Sequence, residues 1–373
     1  MKRWIIALLA LALHATAFAH KPSDSYLTVR AGTDNAVTLR WDIALRDLDY
    51  VLELDRDGNG LLTWGEVRQR SADITRYALS HLQLASGDKP CPIETSAPLM
   101  LDQHSDGTYA VLTLRAHCAS LVNALQMKYS LLFDVDPSHR GLVQWIASDK
   151  GAAQALVFGT ESAQQQLTVQ APDALQTLRQ YVAEGTWHIW IGFDHILFLL
   201  SLLLPSVLVR RQGHWQAVDS LRSASIEVLK VVTAFTLAHS ITLSLAALQV
   251  LTLPSRLVES VIAASVVVAA LNNLRGTVES KRWLLAFVFG LVHGFGFASV
   301  LADLGLPQGA LVLALVGFNV GVELGQLAIV ALFLPLAFAL RCSAFYRVGV
   351  LLGGSVLIAL LAAWWFVQRA FDL

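Results

Sequence analysis

Two histidines and an aspartate, His188, Asp194 and His195, stand in the otherwise apolar stretch 187–200. A charged side chain at the centre of a membrane-spanning helix costs roughly 2.5 to 3.5 kcal/mol on insertion scales, so such groups face a bundle interior, a partner or a pathway. His188 and His195 are seven residues apart and are expected on one helix face, with Asp194 beside the second. Later apolar segments carry more: His239 followed by Ser240 and Thr242, then Glu259, then His293 within the glycine-rich stretch 290–296. Asn319, Glu323 and Gln326 follow an i, i+4, i+7 pattern and line one stripe. Imidazoles with carboxylates suit a first-row divalent ion such as nickel, zinc or copper, and the scarcity of cysteine and methionine argues against a soft thiolate or thioether centre. The candidate transition-metal residues are therefore His188, Asp194, His195, His239, Glu259, His293, Asn319 and Glu323. The plainer alternative is that they pair with one another and with backbone carbonyls to hold helices together. Four histidines and three carboxylates in one bundle favour a functional polar centre.

A second constellation is of another kind. The stretch 55–66, DRDGNGLLTWGE, matches an EF-hand calcium loop at each chemically demanding position. Calcium takes six to eight oxygens, and this spacing would fold Asp55, Asp57 and Asn59 around one centre, with Leu61 offering its carbonyl, Thr63 direct or through water, and Glu66 bidentate. Gly60 permits the sharp turn. Residues 45–54 are predicted as the helix before the loop and 63–84 as the helix after it. With no second loop to pair with, a weak structural site is expected, in the range of about 10⁻⁴ to 10⁻³ M typical of extracellular modules. An Asp/Asn/Gly-rich turn that holds no ion is the bland alternative.

Composition sets what must position these groups. The 373 residues are 55% hydrophobic and 15% charged with a net charge of −1, and mean hydropathy is +0.55, values of a membrane protein. No basic patch points to nucleic acid. Lys2 and Arg3, an apolar core to Leu13, and Ala17-Phe18-Ala19 read as a signal peptide over 1–19, so that the mature chain begins at His20. The α-amino group and imidazole of a terminal His20 would offer two nitrogens to a copper-type ion, although a solvated terminus is the plainer reading. Residues 20–180 are expected to be a periplasmic β-rich domain. Alternation in 26–30 and 36–43 predicts a hairpin, with further strands at 109–114, 128–135, 142–147, 155–159 and 166–170, and hence a β-sandwich-like domain with the helix-loop-helix inserted. Cys91 and Cys118 are expected to form a disulfide, and Cys342 has no mate. His81, His104, His117 and His139 lack ligand spacing and read as surface or packing residues.

From 186 onward, apolar segments at 186–209, 226–251, 255–274, 283–304, 309–340 and 347–368 predict an all-α bundle of six transmembrane helices over 186–370. Arg210, Arg211, Arg222, Arg275, Lys281, Arg282, Arg341 and Arg347 fall in three of the connections, whereas the others and the tail carry only Arg256 and Arg369. The positive-inside rule then places the β-rich domain and the C-terminus in the periplasm and the bundle in a bacterial inner membrane. His188, Asp194, His195 and Glu259 would lie toward the outer face and His239, His293 and Glu323 near the middle, as a path to a central site. Gly317, Gly321 and Gly325 form a small-residue seam. The sixth segment, with no comparable polar group, reads as a packing helix.

These residues resemble the HupE/UreJ family of hydrogenase and urease accessory membrane proteins. His188-x₅-Asp194-His195 matches the HX₅DH signature of its nickel permeases, and the likeness covers about 180–370. The resemblance implies a role for His188, Asp194 and His195 in metal passage. Where those permeases carry a second His-Gly motif ending in glutamate, this chain has His293-Gly294-Phe295-Gly296-Phe297-Ala298, with Glu323 a span later. The large β-rich domain marks the longer branch of the family. The function expected is binding and transport or delivery of a transition-metal ion, nickel favoured, with calcium and a protein partner at the periplasmic domain. An intramembrane metal-dependent enzyme is one alternative, for which no HExxH helix or substrate is evident. A non-transporting assembly or sensor protein is the other.

Overall fold

Alternating apolar side chains drive the first half of the chain into two facing sheets. The computed structural model describes residues 23–32, 35–104, 107–119, 124–147, 153–168, 174–211, 214–251, 253–276, 281–296 and 308–371. The expected signal peptide and His20 lie outside them. Strands β1 (Asp24–Ala31) and β2 (Ala36–Ala44) make the expected hairpin, with Leu27 opposite Trp41 and Val29 opposite Leu39. Those four are buried and Arg30, Thr38 and Arg40 face out, the period-two pattern of a half-buried strand.

The hairpin is followed by helices α1 (Leu45–Leu52), α2 (Trp64–Gln69) and α3 (Ser71–Ser80). Then come strands β3 (Leu82–Ser86), β4 (Lys89–Pro90), β5 (Ile93–Thr95), β6 (Met100–His104), β7 (Gly107–His117), β8 (Ala124–Tyr129), β9 (Arg140–Ile146), β10 (Ala153–Phe158) and β11 (Gln164–Thr168). One sheet has the order β10-β9-β1-β2-β7-β5, with β6 also on β7, and the other β11-β8-β3-β4. Leu27, Trp41 and Trp145 from the first share a core with Leu84, Met127 and Leu167 from the second, so the domain is a sandwich. The Cys91–Cys118 disulfide joins the end of β4 to the end of β7, one from each sheet. Closing a loop with a sequence separation of 27 restricts the unfolded chain by roughly 3 to 4 kcal/mol.

Two expectations are corrected. The helix predicted over 63–84 is broken at Arg70 and ends at Ser80, because Leu82 and Leu84 are buried as alternate residues of β3, paired with β8. The strand predicted over 128–135 ends at Tyr129. Leu132 takes a φ of 61°, and Leu131 and Leu132 are buried from a turn; their apolar character serves the core without a ladder.

A polar chain crosses the sandwich. Trp41 Nε1 donates to Ser25 Oγ (3.2 Å), Ser25 Oγ meets Tyr129 Oη (2.7 Å), Tyr129 Oη meets His139 Nε2 (2.7 Å), His139 Nδ1 meets Ser23 Oγ (2.5 Å), and Ser23 Oγ donates to Asp47 (2.7 Å). One donor direction, from Trp41 to Asp47, satisfies every member and requires neutral His139 with its proton on Nδ1. Burial, and then the charges of Arg140 and Arg46, push the His139 imidazole down to about 3.

The second half is helical: α4 (Ala174–Ile191), α5 (Phe193–Leu203), the hairpin β12 (Leu208–Arg211) and β13 (His214–Ala217), α6 (Leu221–Ala247), α7 (Ser255–Arg275), α8 (Arg282–His293), α9 (Gln308–Leu340), and a π-helix Phe345–Gly353 running into α10 (Gly354–Phe371). Among the described residues four helices are long and apolar enough to cross a membrane: Leu221–Ala247, Ser255–Arg275, Leu311–Leu340 and Phe345–Phe371. A fifth span results if α4 and α5, bent by 73°, count as one. The sequence predicted six. Helix α8 is apolar but short, ending at His293, and 297–307, which the predicted fourth segment enters, lie outside the described residues. Leu229, Leu237, Leu324, Leu332 and Leu336 are exposed on the helices, as lipid-facing side chains of a multi-pass membrane protein are.

The state of His139 has a measurable consequence. Its unfolded-chain value near 6.5 exceeds the folded one, so the unfolded state binds more protons between them. Stability contributed by neutral His139 is complete above about 6.5 and falls as pH drops toward 3, by at most about 1.4 kcal/mol per pH unit. Melting temperatures of the full-length protein should therefore fall between pH 6.5 and 5. His139→Gln should melt lower at pH 7 and show a flatter slope; identical slopes would remove this role.

Candidate metal centre

The bend between α4 and α5 makes the centre. Gly192 has φ −74° and ψ 90°, an extended conformation that stops one helix and starts the next. A Cβ there would lie 2.8 Å from His195 Nδ1 and 2.9 Å from the His188 carbonyl oxygen, so no larger residue fits without displacing the site. His188 and His195 thus do not share a face of one straight helix, as their spacing suggested. They meet across the bend, ring centroids 4.7 Å apart.

Two glycine seams bring in the other histidines. Between α4 and α9, a Cβ on Gly321 would sit 2.1 Å from the Val182 carbonyl oxygen and one on Gly185 2.0 Å from that of Phe318. Thr186 Oγ1 donates to Gly321 O (3.1 Å) and Trp190 Nε1 to Gly325 O (3.3 Å). Between α6 and α8, a Cβ on Gly290 would meet Phe235 O at 2.6 Å and one on Gly294 would meet His239 O at 2.4 Å. The predicted seam at 317–325 is present, and a second one seats His239 and His293.

One nitrogen each from His188, His195 and His239 lie within 4.8 Å of one another. Ligands about 2.1 Å from a tetrahedral ion stand about 3.4 Å apart, so rotamer adjustments on the order of 1 Å would close the group. His293 stands beside it, its ring 5.0 Å from that of His195. Phe198, Phe235 and Phe318 wall the cage, with Phe198 4.9 Å from His293 and Phe318 5.3 Å from His188.

Three of the imidazoles are oriented by a polar partner on one nitrogen. Asp194 Oδ1 accepts from His195 Nδ1 (2.9 Å), Asn319 Oδ1 from His239 Nδ1 (3.4 Å), and Ser265 Oγ bonds His293 Nε2 (2.9 Å). The opposite nitrogens, Nε2 of His195 and of His239 and Nδ1 of His293, are buried with no hydrogen-bond partner among the described residues. Leaving such an atom unsatisfied costs about 1 to 3 kcal/mol, and a bound cation would recover it. A histidine held on one nitrogen and open on the other is the arrangement of a metal ligand.

The structure sorts the other candidates. Asp194 is engaged by His195 (2.9 Å) and by Arg369, whose Nη1 is 3.6 Å from Oδ2, so it orients the His195 ring and is not itself one of the clustered groups. Asn319 acts likewise on His239. Glu323 accepts from Thr233 Oγ1 (3.1 Å) at the α6–α9 contact, and Gln326 from Thr236 Oγ1 (3.1 Å); neither joins the three-histidine group. The Glu259 backbone carbonyl accepts from Arg369 (3.4 Å). Gly192, Ser265 and Arg369 were missed from the sequence. Arg369 had a signal, as the lone charged residue of α10, and that helix is more than packing.

In the β-domain, carboxylate oxygens of Asp55, Asp57 and Glu66 lie within 4.8 Å of one another. Asp55 accepts from the backbone N–H of Gly58 (2.9 Å) and Gly60 (2.8 Å), and Asn59 Oδ1 from Leu61 N–H (2.7 Å). Glu66 caps α2 through Thr63, whose N–H and Oγ1 donate to Oε2 at 2.9 and 2.7 Å. Gly58 and Gly60 have φ of 67° and 78°, the left-handed region glycine favours. Those hydrogen bonds, that from Gly60 first, hold the Asp55 carboxyl below its usual range. A third group, Asp42, Asp102 and His104, already contains a cation: Arg40 pairs with Asp42 (2.8 Å) and with Asp102.

The chain matches the model of the HupE / UreJ protein family over residues 163–369. It belongs to the HupE/UreJ family. The match includes every cage residue and leaves most of the β-sandwich outside. A comparison with curated proteins finds no match.

The seams make a sharp prediction. Gly321→Val should cost about 3 kcal/mol or more, since backbone must move to admit the side chain. Gly349→Ala, whose Cβ would meet only Phe345 at 3.4 Å, should melt like wild type. Thermal unfolding of both in detergent checks the pair; equal melting would mean that α4 and α9 do not pack backbone to backbone.

Proposed function

We propose that this HupE/UreJ protein takes a transition-metal ion as its substrate, nickel favoured, on His188, His195 and His239 with His293 as a further nitrogen, and transports or delivers it. The observation that carries the reading is the convergence of three imidazole nitrogens within 4.8 Å, with the open nitrogens of His195, His239 and His293 buried. Asp194, Asn319 and Ser265 would fix ring orientation and tautomer. Glu323 and Glu259 would act along the path and not at the cage. The distribution of arginines supports six spans in an inner membrane, with the β-domain and C-terminus in the periplasm.

Uptake of nickel, cobalt, zinc and copper by cells making wild type or His239→Ala tests this directly. At least a tenfold loss of uptake of one ion is expected in the variant. Equal uptake of all four would remove the transport reading.

The 55–66 loop supports weak calcium binding through Asp55, Asp57, Asn59, the Leu61 carbonyl, Thr63 and Glu66, tying α1 to α2. Calcium at about ten times its dissociation constant should stabilise the protein by about 1.4 kcal/mol. Glu66→Gln should abolish the calcium-dependent shift in melting temperature. A shift of equal size in the variant would rule the loop out as the calcium site.

A further inference from the structure

A fixed cation stands beside the cage: Arg369, in the last turn of α10. Its Nη1 lies 3.6 Å from Asp194 Oδ2, and the two side chains are only 15% and 18% exposed. An arginine near a helix end can snorkel to water. This one turns inward, and its place is built. Nη1 also donates to the Glu259 carbonyl (3.4 Å), the guanidinium lies 5.9 Å over the ring of buried Trp365, and Arg256 Nη2 donates to the Ala370 carbonyl (2.5 Å). These contacts hold the end of α10 against α7, which carries Glu259 and Arg256.

The two oxygens of Asp194 have different duties. Oδ1 accepts from the His195 backbone N–H (2.8 Å) and from Nδ1 of its ring (2.9 Å), whereas Oδ2 faces Arg369. A carboxylate behind a metal-bound histidine makes the imidazole a stronger ligand. A guanidinium on its far oxygen cancels that pull. An ion on the open, buried Nε2 of His195 would then see a carboxylate–guanidinium pair of zero net charge in place of a carboxylate. In a low-dielectric bundle that difference acts over several ångströms. Asp194 thus supplies orientation without supplying net charge.

We propose that Arg369 is a positioning residue of the cage, which neutralises Asp194 behind His195 and so sets the site to release a divalent ion instead of keeping it. The proposal rests on the metal reading of the cage. It also has a sign that helix packing alone does not produce. Removing a residue that only holds α10 in place loosens the site and weakens binding, whereas removing a neutralising charge strengthens it.

Full-length protein in nanodiscs of zwitterionic lipid is titrated with Co²⁺ alone. The visible absorption of imidazole-bound Co²⁺ reports the cage, and EDTA added to the loaded protein gives the release rate. Arg369→Gln should lower the Co²⁺ concentration for half-maximal absorption about tenfold and slow release about tenfold. Arg369→Lys, which keeps the charge, should stay within about threefold of wild type. Asp194→Asn keeps an oxygen for His195 but leaves Arg369 unopposed, and should raise the half-maximal concentration about tenfold. Asp194→Asn/Arg369→Gln, with both charges gone, should return to within about threefold of wild type. In cells, Arg369→Gln should lower both the maximal rate of Co²⁺ uptake and the concentration that gives half of it. An equal or higher half-maximal concentration for absorption in Arg369→Gln overturns the role of Arg369 and leaves the cage standing. Should circular dichroism show that this variant does not fold, the double variant decides: binding as weak as that of Asp194→Asn overturns the role. Absence of the absorption band in wild type overturns the cage, and the role of Arg369 with it.

Discussion

At Gly321 the backbones of α4 and α9 are so close that a single methyl group would lie 2.1 Å from a carbonyl oxygen. In a bilayer, lipid tails are as apolar as leucine, so helices gain little by burying leucine against leucine, and close van der Waals approach has to supply the association. The other features of the centre follow from that contact. It sets the distance of α4 from α9, and so of His188 from Phe318 and of Thr186 from the Gly321 carbonyl. The equivalent contact of α6 with α8 sets His239 against His293. Gly192 then folds α5 back so that His195 completes the group. Small residues, which carry no chemistry, fix where the chemical groups stand.

The polar shell solves a different problem. An imidazole has two nitrogens, and in an apolar bundle each needs a partner. Asp194, Asn319 and Ser265 serve one nitrogen of His195, His239 and His293, and nothing described serves the other. Histidines whose role was to hold helices together would be expected to satisfy both. The polar chain around His139 is the contrast within the same protein: it too is a buried histidine, and there both nitrogens have partners.

Periodicity and composition revealed the first hairpin, the sandwich, the disulfide and the helical second half, because each rests on local pattern or spacing, and the resemblance of His188-x₅-Asp194-His195 to a known signature pointed to the family. They misplaced the 63–84 helix and the 128–135 strand because long-range pairing of β3 with β8 overrode a helical period, and because Leu131 and Leu132 are buried from a turn. The histidines were legible by type but not by geometry. A seven-residue spacing suggested one helical face, whereas Gly192 ends the helix between the two residues. The role of Asn319 as an orienting group depended on His239, 80 residues away in the chain, and Arg369, 175 residues beyond Asp194, gave only the weak signal of a lone charge in an apolar helix.

Charge at the cage bears on whether a bound ion would stay. A structural metal site buried in protein commonly carries anionic ligands that neutralise the ion. Here the candidate ligands are imidazoles, which bind metal in the neutral form, and the nearest carboxylate, Asp194, is already paired with Arg369 at 3.6 Å. A divalent ion among them would leave most of its charge uncompensated in a low-dielectric bundle walled by Phe198, Phe235 and Phe318. The opposing desolvation term for an ion so placed is several kcal/mol, which limits affinity even where the nitrogens are well oriented. A site that holds an ion firmly would be built otherwise. Conduction and delivery instead require binding strong enough to admit an ion and weak enough to release it, and the proposed reading of imidazole ligands whose nearest carboxylate is held by an arginine is in keeping with that requirement.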